Sequence, residues 1–360
     1  MVLNVDLPGG RSYPIHVVDG GLDGLGSTVA EHLSPRRAAV VTNPVVGALY
    51  LEAAMESLAA AGFEPFSVQI PDGEAHKTIA TWHALVEDLL AARVNRRTPI
   101  IALGGGVTGD ITGFAAASVL RGCPLIQVPT SLLAMVDSAV GGKTGVNSPR
   151  GKNLIGAFYQ PLLVYSAIQT LSTLDVGEIR SGLGEVIKHG LLQDPVLFSL
   201  CEQQPDAILS LEPSVMRTLV VRCCQVKADV VAQDERESGI RAILNLGHTV
   251  GHAIENALGY GEMRHGECVG IGMLAEARWA VEEKGCEPSL PGRLRSCMER
   301  LQMPTRAPQL PLDELILAAK ADKKLSRGTL STAILEDIGR VRLERIPSGE
   351  ILSMMARLEF

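Results

Sequence analysis

In the segment GIRAILNLGHTVGHAIENAL (239–258), Arg241, Asn245, His248, His252 and Glu255 recur at steps of four, three, four and three. On a continuous helix that spacing gathers all five along one face. Ile243, Leu244, Leu246, Val250 and Ile254 fill the positions around them. Ionisable groups set in an apolar helix must be paired, ligated or used, because an unpaired buried charge is costly. Two other segments offer partners. GLGEVIKHGLL carries Glu185 and Lys188 one turn apart, and RHGECVG places His265 just before a helix start. Two histidines and a carboxylate can hold a divalent metal and leave a coordination position open for substrate, as catalytic zinc sites do. Spacing leaves two sets open: Glu185 with His248 and His265, or the i, i+4 pair His248 and His252. The second lacks the glutamate of H-E-x-x-H, because Thr249 stands in its place. A polar face that is only solvated or paired with itself is the third reading.

Upstream, GGGVTGD (104–110) follows the apolar run PIIAL and precedes a helical stretch, and Gly104, Gly106 and Gly109 satisfy G-x-G-x-x-G. Glycines there let the backbone approach a diphosphate, and a helix N-terminus supplies free N–H groups and a positive dipole end. A plain tight turn would use the same residues, and the acidic residue expected about 20 positions on is missing. A better acidic candidate lies in PDGEAHK, where Asp72, Glu74 and Lys77 follow another strand end. Between Gly122 and Gly177 charges are few. Lys143 in VGGKTG and Lys152 in RGKNLIG, with Arg150 and the preceding Arg121, are the basic ones. Lysines in glycine-rich loops suit a phosphate or carboxylate. Solvated turn lysines are the plainer alternative.

The elements that would carry these residues divide the chain in two. VLNVDL (2–7) and YPIHVV (13–18) flank a Pro-Gly-Gly turn and read as a hairpin. RAAVVT (37–42), EPFSVQI (64–70), PIIAL (99–103) and PLIQV (124–128) then alternate with helical stretches at 45–61, 78–93 and 107–120. Alternation of this kind implies a parallel sheet covered on both faces. After Val176 the strand signal mostly fades, and helical patterns follow near 178–192, 214–233, 239–258, 266–284, 290–301 and 312–321. The expectation is an α/β, Rossmann-like N-terminal domain over 1–177 and a mainly α-helical C-terminal domain over 178–360. The site is expected in the cleft between them.

A net charge of −7 and the lack of any Lys/Arg run argue against nucleic acid as a partner. The start, MVLNVDLPGG, has no targeting pattern. The longest uncharged run, 153–174, is broken by Asn153, Gln160, Pro161 and Gln169 and does not read as a membrane helix. The seven cysteines show no C-x-x-C spacing, which fits buried thiols in a reduced, cytoplasmic setting.

Six stretches in order, GGGVTGDITGFAAASVLRG, QVPTSLLAMVDSAVGGKTGVN, GKNLIGAFYQP, GLGEVIKHG, KADVVAQDERESGIRAILNLGHTVGHAIE and HGECVGIGM, resemble the 3-dehydroquinate synthases, cyclases of the shikimate pathway. They cover most of 100–275, and PDGEAHK and ADKK extend the likeness outward. The resemblance implies a metal, zinc or cobalt, on Glu185, His248 and His265, with His252 on the substrate side. It implies NAD contacts at Glu74, Lys77, Gly105, Gly106, Asp110, Thr130, Ser131, Lys152, Thr173 and Leu174, with Asp137 nearby; Asp72 and Lys143 are counted with them. Substrate contacts would fall on Arg121, Lys143, Asn153, Lys188, Lys227, Glu237, Arg241, Asn245 and His252, with Lys323 or Lys324 added from ADKK.

The implied substrate is a phosphorylated seven-carbon sugar acid, 3-deoxy-arabino-heptulosonate 7-phosphate, and the implied assembly a homodimer. The implied course is transient oxidation of a hydroxyl by NAD, loss of phosphate, return of the hydride, ring opening and an intramolecular aldol closure. His252, helped by Asn245 and Lys188, would move protons. Departures from the family pattern are Ser131 for threonine, Ala167 for aspartate, His189 for tyrosine, Val250 for phenylalanine and Arg264 for an apolar residue. The competing classes are another sugar-phosphate cyclase, such as an amino-dehydroquinate, deoxy-scyllo-inosose or valiolone synthase, and a metal-dependent polyol dehydrogenase. The dehydrogenase would accumulate NADH and leaves the Arg241 to His252 pattern unexplained.

Overall fold

The structure is a computed structural model that describes residues 1–259, 262–310, 315 and 328–360. The helix expected near 312–321 lies almost wholly outside the described residues, as do Lys323 and Lys324. The chain forms two compact units, Met1–Leu174 and Asp175–Phe360.

The first unit is built on a sheet of seven strands. They are β1 (Val2–Val5), β2 (Tyr13–Val18), β3 (Arg37–Thr42), β4 (Glu64–Gln69), β5 (Ile100–Gly104), β6 (Leu125–Pro129) and β9 (Leu163–Ala167). Their order is β1-β2-β9-β6-β5-β3-β4, and every pair is parallel except the β1–β2 hairpin. Strand alternation sends Ala38, Val40, Ile101, Leu103, Ile126 and Val128 into one core and Ala39, Val41, Ile100 and Leu125 into the other. Both faces are therefore buried, which is why the strands read as unbroken apolar runs. Between them run α1 (Leu25–His32), α2 (Pro44–Ala60), α3 (Ile79–Ala91) and α4 (Gly106–Ser118). Asn43 and Thr78 cap α2 and α3 with side-chain oxygens. Because β4 lies on one side of β3 and β5 on the other, the order reverses there. Sheets of this kind bind dinucleotides outside the strand ends at such a reversal.

The two lysine segments expected as glycine-rich loops are instead a hairpin, β7 (Lys143–Ser148) and β8 (Gly151–Phe158). Lys143 opens β7 and Lys152 lies on β8. The glycines that argued for loops are what lets these strands touch. A Cβ on Gly145 would lie 2.5 Å from Ile155 O, and one on Gly156 2.0 Å from Thr144 O. The strand β9 also had no counterpart among the expected elements.

The second unit contains α5 (Val176–Leu192), α6 (Pro195–Gln203), α7 (Pro205–Leu209), α8 (Pro213–Gln233), α9 (His248–Leu258), α10 (His265–Lys284) and α11 (Leu290–Arg300). A hairpin, β10 (Thr329–Asp337) with β11 (Arg340–Pro347), and α12 (Glu350–Met355) end it. The fading of strand signal after Val176 is thus corrected for β10 and β11, and α6 and α7 are additions. A larger correction concerns 239–258, which is not one helix. Ile240–Asn245 forms a tight 3-10 turn, Gly247 adopts a left-handed conformation (φ 77°), and α9 begins only at His248. Hence His248, His252 and Glu255 share a helix, while Arg241 and Asn245 sit on the turn before it. The cause is tertiary: α10 presses on the break. A Cβ on Gly247 would meet Met273 Cγ at 2.5 Å and Val269 O at 2.6 Å.

The contact of α10 with its neighbours is backbone on backbone. A Cβ on Gly266 would lie 1.8 Å from Ser181 O in α5, and one on Gly184 2.1 Å from Gly266 O. One on Gly272 would lie 2.1 Å from Gly247 O, and one on Gly251 2.9 Å from Cys268 O in α10. Gly266→Ala should therefore force α5 and α10 apart and cost about 3 kcal/mol or more. Gly292→Ala, on α11 with nothing within 4 Å of the added methyl, should be neutral or slightly stabilising. Urea midpoints check both, and an unchanged midpoint for Gly266→Ala would show that the crossing yields freely.

Candidate functional site

Glu185 lies in the middle of α5, fully buried. His248 is the first residue of α9 and His265 the first of α10. The three converge. Glu185 Oε1 is 3.6 Å from His248 Nε2 and 3.7 Å from His265 Nε2. Ligand bonds of about 2.05 Å at tetrahedral angles put neighbouring donors about 3.3 Å apart, so this spacing is near what one ion needs. His252, one turn along α9, has its ring centroid 5.3 Å from that of His248 and 5.5 Å from that of His265. A ligand atom of each of the three histidines lies within 4.8 Å of the others.

The other ring nitrogens decide what faces the centre. His248 Nδ1 is 3.1 Å from Leu246 O, which can only accept, so Nδ1 carries the proton and Nε2 is bare. His265 Nδ1 is 3.2 Å from Glu255 Oε2, which orients its ring in the same sense. Burial holds the His248 pKa well below the ordinary value, and the Lys188 cation and the two other histidines push the same way. The Nε2 atoms of both rings thus face a carboxylate, that of His248 without a proton. Lys188 Nζ rests against Glu185 Oε2 as an ion pair, and Oε1, the oxygen nearest both histidines, has no hydrogen-bond donor. Three electron-rich atoms pointed at one spot, with one of them buried and undonated, are a set that a divalent cation satisfies. Glu255 was one of the five spaced residues, but its place behind His265 could not be read from spacing. Arg264 ties the start of α10 to α5, pairing with Asp175 at 3.1 Å and with Glu178.

The remaining candidates of the second unit gather on α5, α8 and the turn before α9. Lys188 and Lys227 are buried lysines of α5 and α8. Asn245 Nδ2 donates to Glu237 Oε1 at 3.0 Å. Arg241, 1% exposed, donates from its guanidinium to Glu235 O.

In the first unit the structure assembles a second group. Gly105 is the N-cap of α4 and brings no side chain to it, so the first N–H groups of that helix stand open at the end of β5. Lys77 Nζ donates to Asp110 Oδ2 and to Asn153 Oδ1, both at 2.5 Å. Asn147 joins them: its Nδ2 donates to Glu74 Oε1 at 2.7 Å and its Oδ1 accepts from Asn153 N at 2.9 Å. Asn147 was not singled out in the sequence, where nothing separates it from a turn residue. Asp72 is exposed after β4 and accepts from Asn43 Nδ2 at 2.8 Å. Asp72 and Gly105 therefore flank the point where the strand order reverses. This group suits the phosphates and ribose of a dinucleotide. Thr130 N donates to Gly104 O at 3.0 Å, and Ser131 Oγ accepts from Ala134 N at 3.3 Å. Asp137 lies in the short π-helical turn Ala134–Ser138, and Leu174 is half-buried at the end of the unit. Thr173 Oγ1 is engaged with Tyr50 OH at 2.6 Å. Arg121 is exposed in the turn after α4, in a left-handed conformation, and is not part of the Lys77 network.

Residues 67–181 match the family model described as 3-dehydroquinate synthase N-terminal, and residues 182–325 the model described as 3-dehydroquinate synthase C-terminal. The chain is 46% identical over 334 residues to the 3-dehydroquinate synthase of Nitrosomonas europaea, covering 93% of this chain and 90% of that one. It is 45% identical over 356 residues to that of Bordetella pertussis, covering 99% of each. A solved 2-deoxy-scyllo-inosose synthase, complexed with carbaglucose-6-phosphate, NAD+ and Co2+, is similar with a TM-score of 0.88 at 25% identity, covering 99% of this chain and 100% of that one. The 2-epi-5-epi-valiolone synthase of Streptomyces hygroscopicus subsp. jinggangensis, with NAD+ and Zn2+ bound, has a TM-score of 0.87 at 28% identity, covering 98% of each.

One residue that spacing did not mark organises the turn that carries Glu237, Arg241 and Asn245. Asp234 accepts from Ser238 N at 2.9 Å, Ser238 Oγ at 3.1 Å, Gly239 N at 2.7 Å and Arg241 N at 3.1 Å. Burial alone would raise its pKa, but these donors outweigh it and hold the carboxyl down at about 2, against an ordinary 3.8. Because the folded pKa is depressed, the stabilisation is complete above pH 3.8 and is lost as pH falls towards 2. Asp234→Ala should cost about 1–3 kcal/mol near neutrality. The gap from wild type should shrink between about pH 4 and 2 in urea titrations. A gap that stays constant through that range would show that the ionised carboxylate is not what holds the turn.

Proposed function

The chain belongs to the 3-dehydroquinate synthase family, and from that membership we propose that it converts 3-deoxy-D-arabino-heptulosonate 7-phosphate to 3-dehydroquinate and phosphate, as a carbon–oxygen lyase. The observation that carries the proposal is the convergence of Glu185, His248 and His265, with the Nε2 atoms of both rings turned to one buried carboxylate oxygen. NAD supplies a reversible hydride acceptor and the divalent metal, zinc or cobalt, a Lewis acid for the substrate hydroxyl and the ketone it becomes. The substrate hydroxyl would lose a hydride and a proton to become a ketone, and the carbon beside the ketone would then lose a proton as phosphate leaves the next carbon. The hydride would return to the ketone, and the ring would open and the chain close again by an intramolecular aldol step.

The proposed tasks of the side chains follow from charge and position. Glu185, His248 and His265 hold the metal. His252, next to both ligand histidines but on a different turn from His248, moves the proton of the bound hydroxyl, with Lys188 and Asn245 holding the same region. Arg121, Lys143, Asn153, Lys227, Glu237 and Arg241 bind the phosphate, carboxylate and hydroxyls of the substrate. Asp72, Glu74, Lys77, Gly105, Gly106, Asp110, Thr130, Ser131, Asp137, Lys143, Lys152, Thr173 and Leu174 hold NAD. The NAD-binding domain is taken as 1–177 and the metal-binding domain as 178–360. No described helix is long and apolar enough to cross a membrane. All seven cysteines are buried as thiols, which fits a cytoplasmic enzyme. The exposed Leu154, Ile155 and Phe158 of β8 offer apolar surface to a second copy in a homodimer.

Purified protein given the sugar-acid phosphate, NAD and zinc should release phosphate and form the carbocycle with no lasting rise in NADH. Steady NADH accumulation would instead mark a dehydrogenase, and turnover of the amino-sugar acid alone an amino-dehydroquinate synthase. Glu185→Ala and His265→Ala should lose tight zinc binding in a chelator competition. His252→Ala should keep zinc and lose about 10²–10⁴-fold in kcat. Metal-free His252→Ala protein would move His252 into the ligand set.

A further inference from the structure

Glu276 lies on α10 beyond His265, and no step of the proposed reaction uses it. It is 3% exposed. A buried carboxyl needs a reason to be there. Its Oε2 accepts the N–H of Gly247 at 2.8 Å, and the N–H of Val250 is also directed at the carboxyl. These groups open α9, whose N-cap is Gly247 and so has no side chain of its own to accept from them. The free N–H groups of a helix start require acceptors, which a carboxyl oxygen supplies. The acceptor here comes from a neighbouring helix. The two donors bracket His248, and the same stretch places Leu246 O at 3.1 Å from His248 Nδ1. One turn back on α10, Gly272 lies against Gly247 O. The start of α9 is therefore held by α10 at two points, one steric and one polar.

We propose that Glu276 is a positioning residue for the metal centre: by accepting from Gly247 and Val250 it holds the turn that aims His248 Nε2 at Glu185. The inference rests on the metal reading above. It differs from an ordinary buried hydrogen bond in what it moves. A group that only stabilises the fold would change the unfolding midpoint and leave the ligand geometry alone. A group that sets the direction of His248 would change the ligand field of the bound ion. Burial pushes the Glu276 carboxyl up to about 8, so near neutrality it is mostly the uncharged acid. Glutamine then matches it in shape and charge and keeps an oxygen for Gly247.

Cobalt-loaded and zinc-loaded protein tests this, by the visible spectrum of the cobalt form and by zinc competition with a chromophoric chelator. Glu276→Ala should bind zinc about 10–100-fold more weakly, the usual size of losing such a support. Its cobalt spectrum should shift. Glu276→Gln should restore both towards wild type. Glu276→Asp, which draws the carboxyl back by one methylene, should resemble Ala and serves if the Ala protein does not fold. Wild-type zinc affinity and an unchanged cobalt spectrum in Glu276→Ala or Glu276→Asp, even with a lowered unfolding midpoint, would overturn the inference. A wild-type protein that binds neither ion would overturn the metal reading itself, and this inference with it.

Discussion

Helices α5, α9 and α10 meet backbone to backbone, and each of these contacts adjoins a candidate ligand. Gly184 precedes Glu185, Gly266 follows His265, and Gly247 precedes His248. Packed helices usually keep their axes about 8–10 Å apart, the separation being set by the side chains between them. Here the intervening side chains are absent, because a Cβ at Gly184, Gly266 or Gly272 would fall about 2 Å from a neighbouring backbone atom. Short side chains can then span the gap. That is why one glutamate oxygen ends within 3.7 Å of a ring nitrogen from each of two histidines, the three residues coming from three helices. Wider spacing would need longer side chains, and among residues that bind zinc-like ions the histidine and glutamate already have the greatest reach.

Close packing also sets an electrostatic condition. Glu185 sits in the core with Lys188 against Oε2 and no hydrogen-bond donor to Oε1, and the hydrogen bonds of His248 and His265 turn their Nε2 atoms towards it. With Lys188 on one side only, the atoms turned towards Oε1 still oppose it unless a second cation lies among them. The fold makes the opposition rigid, since the rings are held from behind by Leu246 O and Glu255. Free energy gained by an ion in this place is then also stability of the three-helix crossing.

Much of this was legible in residue types. The alternation of the first half foretold a parallel sheet, because buried parallel strands and their helices leave strong local patterns. The five spaced polar residues marked the right region but implied a helix that does not exist. Glycine inside a helical pattern looks tolerable; that Gly247 turns left-handed depends on Met273 and Val269, distant in sequence. The hairpin of β7 and β8 was hidden for a related reason, since Gly145 and Gly156 weaken a strand pattern while enabling the strands to touch. In β11 the alternation is present, but Arg340, Arg342, Glu344 and Arg345 make it resemble a solvated helix face. Arg342 is in fact paired with Glu336 and Glu344. Asp234 and Glu276 escaped because their partners are backbone N–H groups, which every residue but proline owns and no sequence distinguishes. Spacing alone also left His252 and His265 unranked, and the resemblance chose between them.

The turn held by Asp234 has a meaning for how such a chain can change over generations. Its donors, Ser238, Gly239 and Arg241, lie within a few residues of the acceptor, so the turn is largely self-supporting. The ligand helices, by contrast, depend on glycines scattered from 184 to 272. Side chains exposed on the turn can therefore drift with little penalty to the ion's cradle, while almost any gain of bulk at the crossings is lethal to it. Tolerance of change and resistance to it are thus written in separate stretches of one polypeptide.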